Sequence, residues 1–441
     1  MTAPQRKRRV SRLYPALLYA FHLGHLPGVF QRQWWPRERI AGYQDRLLRE
    51  LVAHAYRNAA HYRRLMDGAG LTPGDIRAAA DLRRLPITTK ADILNSFPEG
   101  ILASDRREGA YQQTLTSGSS GRPMPVCCDK EQLALYRLME LRQLWSLGYR
   151  PTDLMAFLKP HAPKGRPFQR LGFFRRAFVS ILDDVGRQAE ALLKLRPQVI
   201  YAYPSSLYLL AQHLDGGSAR GLALKFILSN SELLTPEVRG CLEEKFGCPI
   251  YDEYSCLEFQ AIGFECQHKR LHLAADNVIA EVVDEAGQTL PPGRPGRLIL
   301  TALHNRVMPY LRYEIGDMGA LSEEPCPCGR GFAVIAELQG RQDDFIAAPG
   351  GRLLSPRVVC RPFRTTPGIR DFQILQEADG SVRVRVCGQP GCDGARLDAL
   401  IREAVAKAFP PGMRVAVETV GELDRGATGK HRAVRSLARG R

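Results

Sequence analysis

The sequence predicts an α/β protein with a large N-terminal domain of mainly parallel sheet and helices, followed by a small C-terminal α+β domain. Three observations carry this expectation. Strand and helix patterns alternate between residues 197 and 251, and such alternation implies a parallel sheet with right-handed crossovers. Residues 278–303 then read as a hairpin, and beyond about residue 341 the order changes to hairpin, helix and strand. We set the boundary near Gly340–Asp344, giving domains 1–340 and 341–441, with residues 1–42 as an N-terminal extension.

Residues 43–70 carry Leu47, Leu51, Ala55 and Ala59 at helical spacing. The stretch "DLRRLPITTKADILNSF" follows as a turn and a short helix, with Pro86 as the breaker. "QVIYAY" reads as a buried strand, "SSLYLLAQHL" after Pro204 as a helix, and "LALKFILS" as a second strand. "TPEVRGCLEEKFG" is a helix with Thr235 as N-cap, Pro236 in the first turn and Gly247 at the stop. "PIYDEY" is the third strand. Ligands of parallel sheets sit beyond the carboxyl ends of strands, so the segment after "PIYDEY" is a candidate site. "VIAEVVD", a turn at "EAGQ" and "GRLILTAL" make the hairpin at 278–303. "DFQILQEADGSVRVRVCG" is a second hairpin turning at Asp379-Gly380, followed by a helix at 393–409 and the strand "RVAVETV".

With 44% hydrophobic and 24% charged residues in 441, the composition is that of a globular protein able to bury a large core. The net charge of +16 favours polyanionic partners, among them nucleotide polyphosphates, coenzyme A, nucleic acid and anionic membrane, without choosing between them. Eleven cysteines scattered over so long a chain argue for a reducing compartment rather than a disulfide scaffold. At the N-terminus Arg6, Lys7, Arg8 and Arg9 precede an apolar stretch, Leu13 to Phe30, interrupted by His22, His25 and Pro27. No small-residue cleavage site follows it, and it is too broken for a membrane span. The expectation is a cytoplasmic protein whose N-terminus packs on the body or makes weak contact with a membrane surface.

"TLTSGSSGRPMPV", residues 114–126, is the strongest local signal. Thr116, Ser117, Ser119 and Ser120 supply hydroxyl donors, and Gly118 and Gly121 permit positive φ and close backbone approach. Such a loop can turn its N–H groups inward as an anion nest suited to ATP phosphates. It is not a Walker A loop, because no Gly-Lys-Ser/Thr opens a helix. Alone, it reads equally well as a Ser/Gly-rich surface loop.

Four later segments, in order, change that balance. "TSGSSGRP", "YDEYSCLE", "YLRYEIGDMG", "GRQDDFI" and "DRGATGKHRAV" together resemble the acyl-adenylate-forming superfamily. With "HAYRNAAHYRRLM…DLRRLPITTKADI" the chain is similar to the branch holding phenylacetate–CoA ligases and capsule-biosynthesis homologues, over about residues 43–435. The resemblance implies that Tyr254 stacks near adenine and that Glu258 holds the Mg²⁺ bridging the phosphates. It implicates Ser231 and Glu232 of "SNSELLTP" in the adenine pocket, Asp317 at the ribose hydroxyls and Arg341 at the nucleotide. Asp343 becomes the hinge of a mobile C-terminal domain, and Lys430 the catalytic cation at the α-phosphate. Two departures stand out: Ser255 replaces the usual glycine, and Leu257 replaces a hydroxyl residue that contacts the nucleotide. Taken alone, Gly316-Asp317 would pass for a capped turn.

Cys266, His272, Cys326 and Cys328 form a Cys₃His set of the kind that binds structural zinc. They flank the 278–303 hairpin, and His268 rivals His272 as the nitrogen ligand. The expected function is ATP- and Mg²⁺-dependent activation of a carboxylic acid to acyl-AMP, then transfer to coenzyme A, an amine or a carrier-protein thiol, with no nucleic-acid partner. The rival is a non-catalytic nucleotide-binding or membrane-associated biosynthesis factor, which would have no need of Glu258, Asp343 and Lys430 in this order.

Overall fold

An eleven-stranded sheet organises the larger part of the chain. The computed structural model describes residues 24–106, 109–116, 123–160, 169, 171–341, 344–351, 353–423 and 432–438. Five strands, Arg176–Ser180, Met155–Lys159, Val199–Ala202, Phe226–Asn230 and Ile250–Cys256, lie side by side in parallel. Helices Val185–Leu195, Pro204–His213 and Pro236–Phe246 fill the crossovers and pack on one face. Lys130–Ser146 lies over the other, where its Leu144 shares a buried cluster with Phe157, Leu228 and Tyr251.

The α/β class is as expected, but the sheet is mixed rather than mainly parallel. From Ile250–Cys256 it continues antiparallel through Gln260–Glu265, Leu271–Leu273, Val334–Arg341, Tyr313–Ser322, Gly296–Ala302 and Val278–Val283. The connections decide this. Only three residues, Leu257–Phe259, join Ile250–Cys256 to Gln260–Glu265, and a link that short can return only antiparallel.

Local chemistry explains most element ends. Thr235 Oγ1 accepts from Val238 N, and Gly247 stops the helix at φ 65°. Thr89 and Asp92 form a reciprocal capping box ahead of Lys90–Ser96. The expected helix at 43–70 is instead two, Arg37–Asn58 and Ala60–Gly68. The Asn58 amide donates back to the His54 carbonyl at 3.0 Å, and His61 N–H leaves the helix for Gly100 O, which breaks the ladder at Ala59.

The N-terminal extension is tied down by charge. Asp276 accepts from Arg32 Nε at 3.0 Å and from Arg142 Nη1 at 2.7 Å, all three being buried. No described helix is long and apolar enough to cross a membrane; residues 6–23 of the basic and apolar segment lie outside the described residues.

Beyond Arg341 a four-stranded sheet forms in the order Val415–Thr419, Val382–Gly388, Ile369–Gln376, Val434–Ser436. It carries the expected hairpin, with Gly380 at φ 82° in the turn, and the expected helix, Gly394–Ala408. An additional helix, Pro356–Thr365, packs here with Phe363 stacked on Phe372 at 5.0 Å. Its core, which includes Ile374, Val384 and Ile401, is separate from that of the large sheet.

Candidate active site

Where the parallel and antiparallel halves of the large sheet meet, a cleft of about 1450 Å³ opens toward the C-terminal sheet. Pockets for one small ligand commonly measure roughly 300–1,000 Å³, so this cleft exceeds what one small ligand needs. Thr116, Ser231, Glu232, Tyr254, Glu258, Asp317 and Arg341 all line it. Seven positions spread over 226 residues of sequence thus converge on one cavity.

Each is held by an identifiable local device. Strands Tyr111–Leu115 and Pro125–Asp129 form a hairpin, and Thr116 Oγ1 accepts from Met124 N at 2.9 Å while Thr116 N donates to Met124 O at 2.9 Å. These bonds close the base of the Ser/Gly loop; Ser117, Gly118, Ser119, Ser120 and Gly121 themselves lie outside the described residues. Glu258 sits in the three-residue turn after Cys256, which ends on Gln260 at φ 56°, the usual positive-φ closure of such a loop. Burial holds the Cys256 thiol well above its ordinary range, and the neighbouring Glu258 carboxylate adds to the rise.

Asp317 is inside the strand Tyr313–Ser322, not at the tip of a capped turn. Its Oδ2 accepts from the Tyr254 hydroxyl at 2.6 Å. Arg341, its register partner on the next strand, donates to Ile315 O at 3.2 Å and brings Nε to 3.9 Å from Asp317 Oδ1. Gly316, at φ 84°, is required: a Cβ there would stand 3.0 Å from Arg341 Nη2. Burial, and then the Asp317 charge, hold the Tyr254 phenol well above its ordinary range, so it stays a donor.

Ser231 adopts φ 66° and is exposed to the cleft. Glu232 is engaged by the helix Pro204–His213, accepting from Ser205 N and Ser205 Oγ at 3.0 Å each, a favourable seat for a carboxylate at a helix N-terminus. Asp343 and Lys430 lie outside the described residues. Their neighbours are informative: Asp344 and Arg432 both line the cleft, and Arg432 Nε is paired with Asp344. Sequence reasoning missed this pair, although the Asp343-Asp344 doublet was a signal for it. It also missed Glu253, a cleft residue whose strand gave no reason to single it out.

The cysteines and histidine converge elsewhere. One donor atom from each of Cys266, His272, Cys326 and Cys328 lies within 4.8 Å of all the others. Cys266 Sγ is 3.6 Å from Cys326 Sγ, and Cys328 Sγ is 3.3 Å from His272 Nε2. A zinc tetrahedron with bonds near 2.3 Å to sulfur needs sulfur–sulfur edges of about 3.8 Å, and the Cys266–Cys326 edge is close to that. His272 Nδ1 is 3.0 Å from Phe332 O, so Nε2 is the nitrogen turned toward the cysteine sulfurs. Burial lowers the His272 pKa to about 4, so the ring is neutral as ligation requires. His268 is exposed and outside the cluster.

Residues 346–436 match the family model described as the CapK C-terminal domain. The chain is 29% identical to the phenylacetate-coenzyme A ligase of Thermus thermophilus over 434 residues, covering 91% of this chain and 97% of that one. Among solved structures, 2-hydroxyisobutyryl-CoA ligase in its postadenylation state, bound to an acyl-AMP, superposes with a TM-score of 0.79 at 21% identity, over 93% of this chain and 91% of that one. The same ligase in its thioesterification state gives 0.64 at 22% identity, over 92% and 91%. The match along nearly the whole length of a phenylacetate–CoA ligase and the C-terminal family model agree with the ordered motifs: the chain is similar to the phenylacetate–CoA ligases and CapK, and it shares its fold with solved acyl-CoA ligases.

Proposed function

We propose that the protein joins a carboxylic acid to AMP at the expense of ATP and then passes the acyl group to the thiol of coenzyme A. One observation carries this reading: Thr116, Tyr254, Glu258, Asp317 and Arg341, from separate segments, line a single cleft together with Asp344 and Arg432. In the first step an oxygen of the substrate carboxylate attacks the α-phosphorus, the bond from that phosphorus to the β-phosphate oxygen breaks, and pyrophosphate leaves. Asp317 accepts the ribose hydroxyls, oriented by Tyr254 and Arg341. The Ser117–Gly121 backbone cradles the phosphates, and Lys430 stabilises the charge that develops at phosphorus. Glu258 would hold Mg²⁺, which supplies charge neutralisation at the phosphates. In the second step the thiol sulfur attacks the acyl carbon, its proton is lost and AMP departs.

The comparisons support an alternation between these steps. The better superposition on the postadenylation state than on the thioesterification state of one ligase fits an arrangement suited to the first step. Asp343 is the pivot in this reading, with residues 341–441 as the moving domain. Cys266, His272, Cys326 and Cys328 would hold a structural zinc, bracing the strands that carry them. An amine or a carrier-protein thiol as acceptor, and membrane contact through residues 6–30, have no observation behind them comparable to the ligase likeness.

The test is pyrophosphate release from ATP with a panel of aryl and aliphatic acids, with and without coenzyme A. Acid-dependent release followed by thioester formation is expected. Tight ATP binding with no release for any acid would favour the non-catalytic alternative.

A further inference from the structure

One end of the cleft carries more polar chemistry than an apolar acid needs. Register explains its layout. Asn230 pairs with Glu253, Ala202 with Ser229, and Phe157 with Tyr201. Lys159, Tyr203, Asn230 and Glu253 therefore form one row across the carboxyl ends of four parallel strands. Lys159 Nζ donates to Asn230 Oδ1 at 2.8 Å and sits 4.0 Å from the Tyr203 ring and 4.7 Å from the Tyr201 ring. The row beneath is aromatic, with Phe157 against Tyr201 at 5.1 Å. Helix Lys130–Ser146 roofs this end and presents Tyr136, Arg137 and Glu140 to the cleft.

Within this row Glu253 has one oxygen whose needs are unmet, although Ser255 hydrogen-bonds to the carboxyl. It lines the cleft, yet its Oε2 is shielded from water and meets no hydrogen-bond partner among the described residues. Lys159 is satisfied by Asn230 and two aromatic faces, and Glu140 has Arg176 at 3.8 Å. Burial raises the Glu253 carboxyl to about 7, with the Glu140 charge adding to the rise and Ser255 and Lys159 opposing it. A buried acceptor without a donor costs roughly 1–3 kcal/mol, a cost that a ligand can relieve. The terminal torsion of a glutamate is soft and roughly two-fold, so a donor in the cleft can draw either oxygen.

Resting on the ligase reading above, we propose that Glu253 determines specificity by accepting a hydrogen bond from a hydroxyl or amino group on the substrate acid, at the end remote from its carboxylate. The aromatic row beneath suits a ring or short chain, and the polar row suits its donor-bearing tip. The substrate class is thus a hydroxylated or aminated aryl or short-chain acid, not phenylacetate itself or a simple fatty acid.

The experiment measures kcat/KM for pyrophosphate release with the full-length protein on matched pairs. Phenylacetate is set against its para-hydroxy and para-amino derivatives, and hexanoate against its terminal hydroxy derivative. In the wild type the donor-bearing member of at least one pair should lead by on the order of tenfold or more. Glu253→Leu should erase that preference or reverse it, whereas Glu253→Gln, which keeps an acceptor, should retain most of it. The hydroxy and amino arms identify which donor is used. A wild type preferring the unsubstituted acids, or a Glu253→Leu variant with the preference intact, overturns the proposal and leaves the ligase reading standing. No release with any acid overturns the ligase reading itself.

Discussion

The Tyr254 hydroxyl donates to Asp317 Oδ2 at 2.6 Å, joining the end of the strand Ile250–Cys256 to a strand 63 residues later. This bond and the Arg341 guanidinium 3.9 Å from the other carboxylate oxygen leave Asp317 with a fixed orientation. In the proposed reading a ribose diol uses that orientation, because two adjacent hydroxyls must both find acceptors. Removing one neutral-to-charged hydrogen bond costs about 1.5–3 kcal/mol when the partner stays buried.

Tyr254→Phe should therefore raise KM for ATP by roughly tenfold while changing kcat less, because the loss falls on bound and reacting nucleotide alike. Steady-state kinetics at saturating acid would check it. An unchanged KM for ATP would confine the bond to a structural role.

Glu258 occupies a tight turn beside the half-buried Cys256 and the buried Tyr313. Glu258→Gln preserves the shape and removes the charge. Mg²⁺-dependent pyrophosphate release should fall by about two orders of magnitude, with part of the loss recovered at high Mg²⁺. Equal turnover at every Mg²⁺ concentration would remove Glu258 from the metal.

Much of this arrangement is legible in sequence because local chemistry writes it there. Thr235, Pro236 and Gly247 mark the ends of one helix through capping and positive φ alone. The cleft residues were legible through short motifs, each with its own residue type and order. What stayed hidden depends on distant partners. Pro362 conceals the helix Pro356–Thr365, whose stability comes from packing such as Phe363 on Phe372. The break at Ala59 depends on Gly100 accepting from His61. Glu253 looks like any polar strand residue until the register with Asn230 brings it into the cleft.

The Cys₃His cluster gives a prediction independent of catalysis. Protein purified without added metal should contain about one zinc per chain, and Cys326→Ser/Cys328→Ser should lose it. Elemental analysis decides this. A metal-free, folded wild type would end the zinc assignment.

Asp276 between Arg32 and Arg142 predicts a stability effect with a defined pH sign. Burial alone would raise its pKa, but the two guanidinium groups outweigh that and hold it below its ordinary value. A carboxylate depressed in the folded state contributes stability above its unfolded value, lost as pH falls through the folded one. Asp276→Asn should cost about 3–5 kcal/mol near neutral pH, since it strands two buried cations. The gap to wild type should narrow only below about pH 4. Urea unfolding followed at several pH values would test both parts, and a midpoint shared with wild type at neutral pH would contradict the assignment.

The last prediction separates the two half-reactions through Lys430. Arg432, two residues later in sequence, lines the cleft and pairs with Asp344 beside the proposed pivot. A cation is needed there while negative charge builds on the α-phosphate and is not needed when a thiol attacks the acyl carbon. Lys430→Ala should accordingly reduce acyl-AMP formation by about two to three orders of magnitude, yet convert supplied acyl-AMP and coenzyme A to thioester at near wild-type rate. Asp343→Pro fixes φ at the pivot and should do the reverse, permitting adenylation and slowing transfer. Chromatographic analysis of both half-reactions with synthetic acyl-AMP distinguishes the cases. If Lys430→Ala loses both equally in a folded protein, one lysine serves both chemistries and rotation about Asp343 is not what divides them.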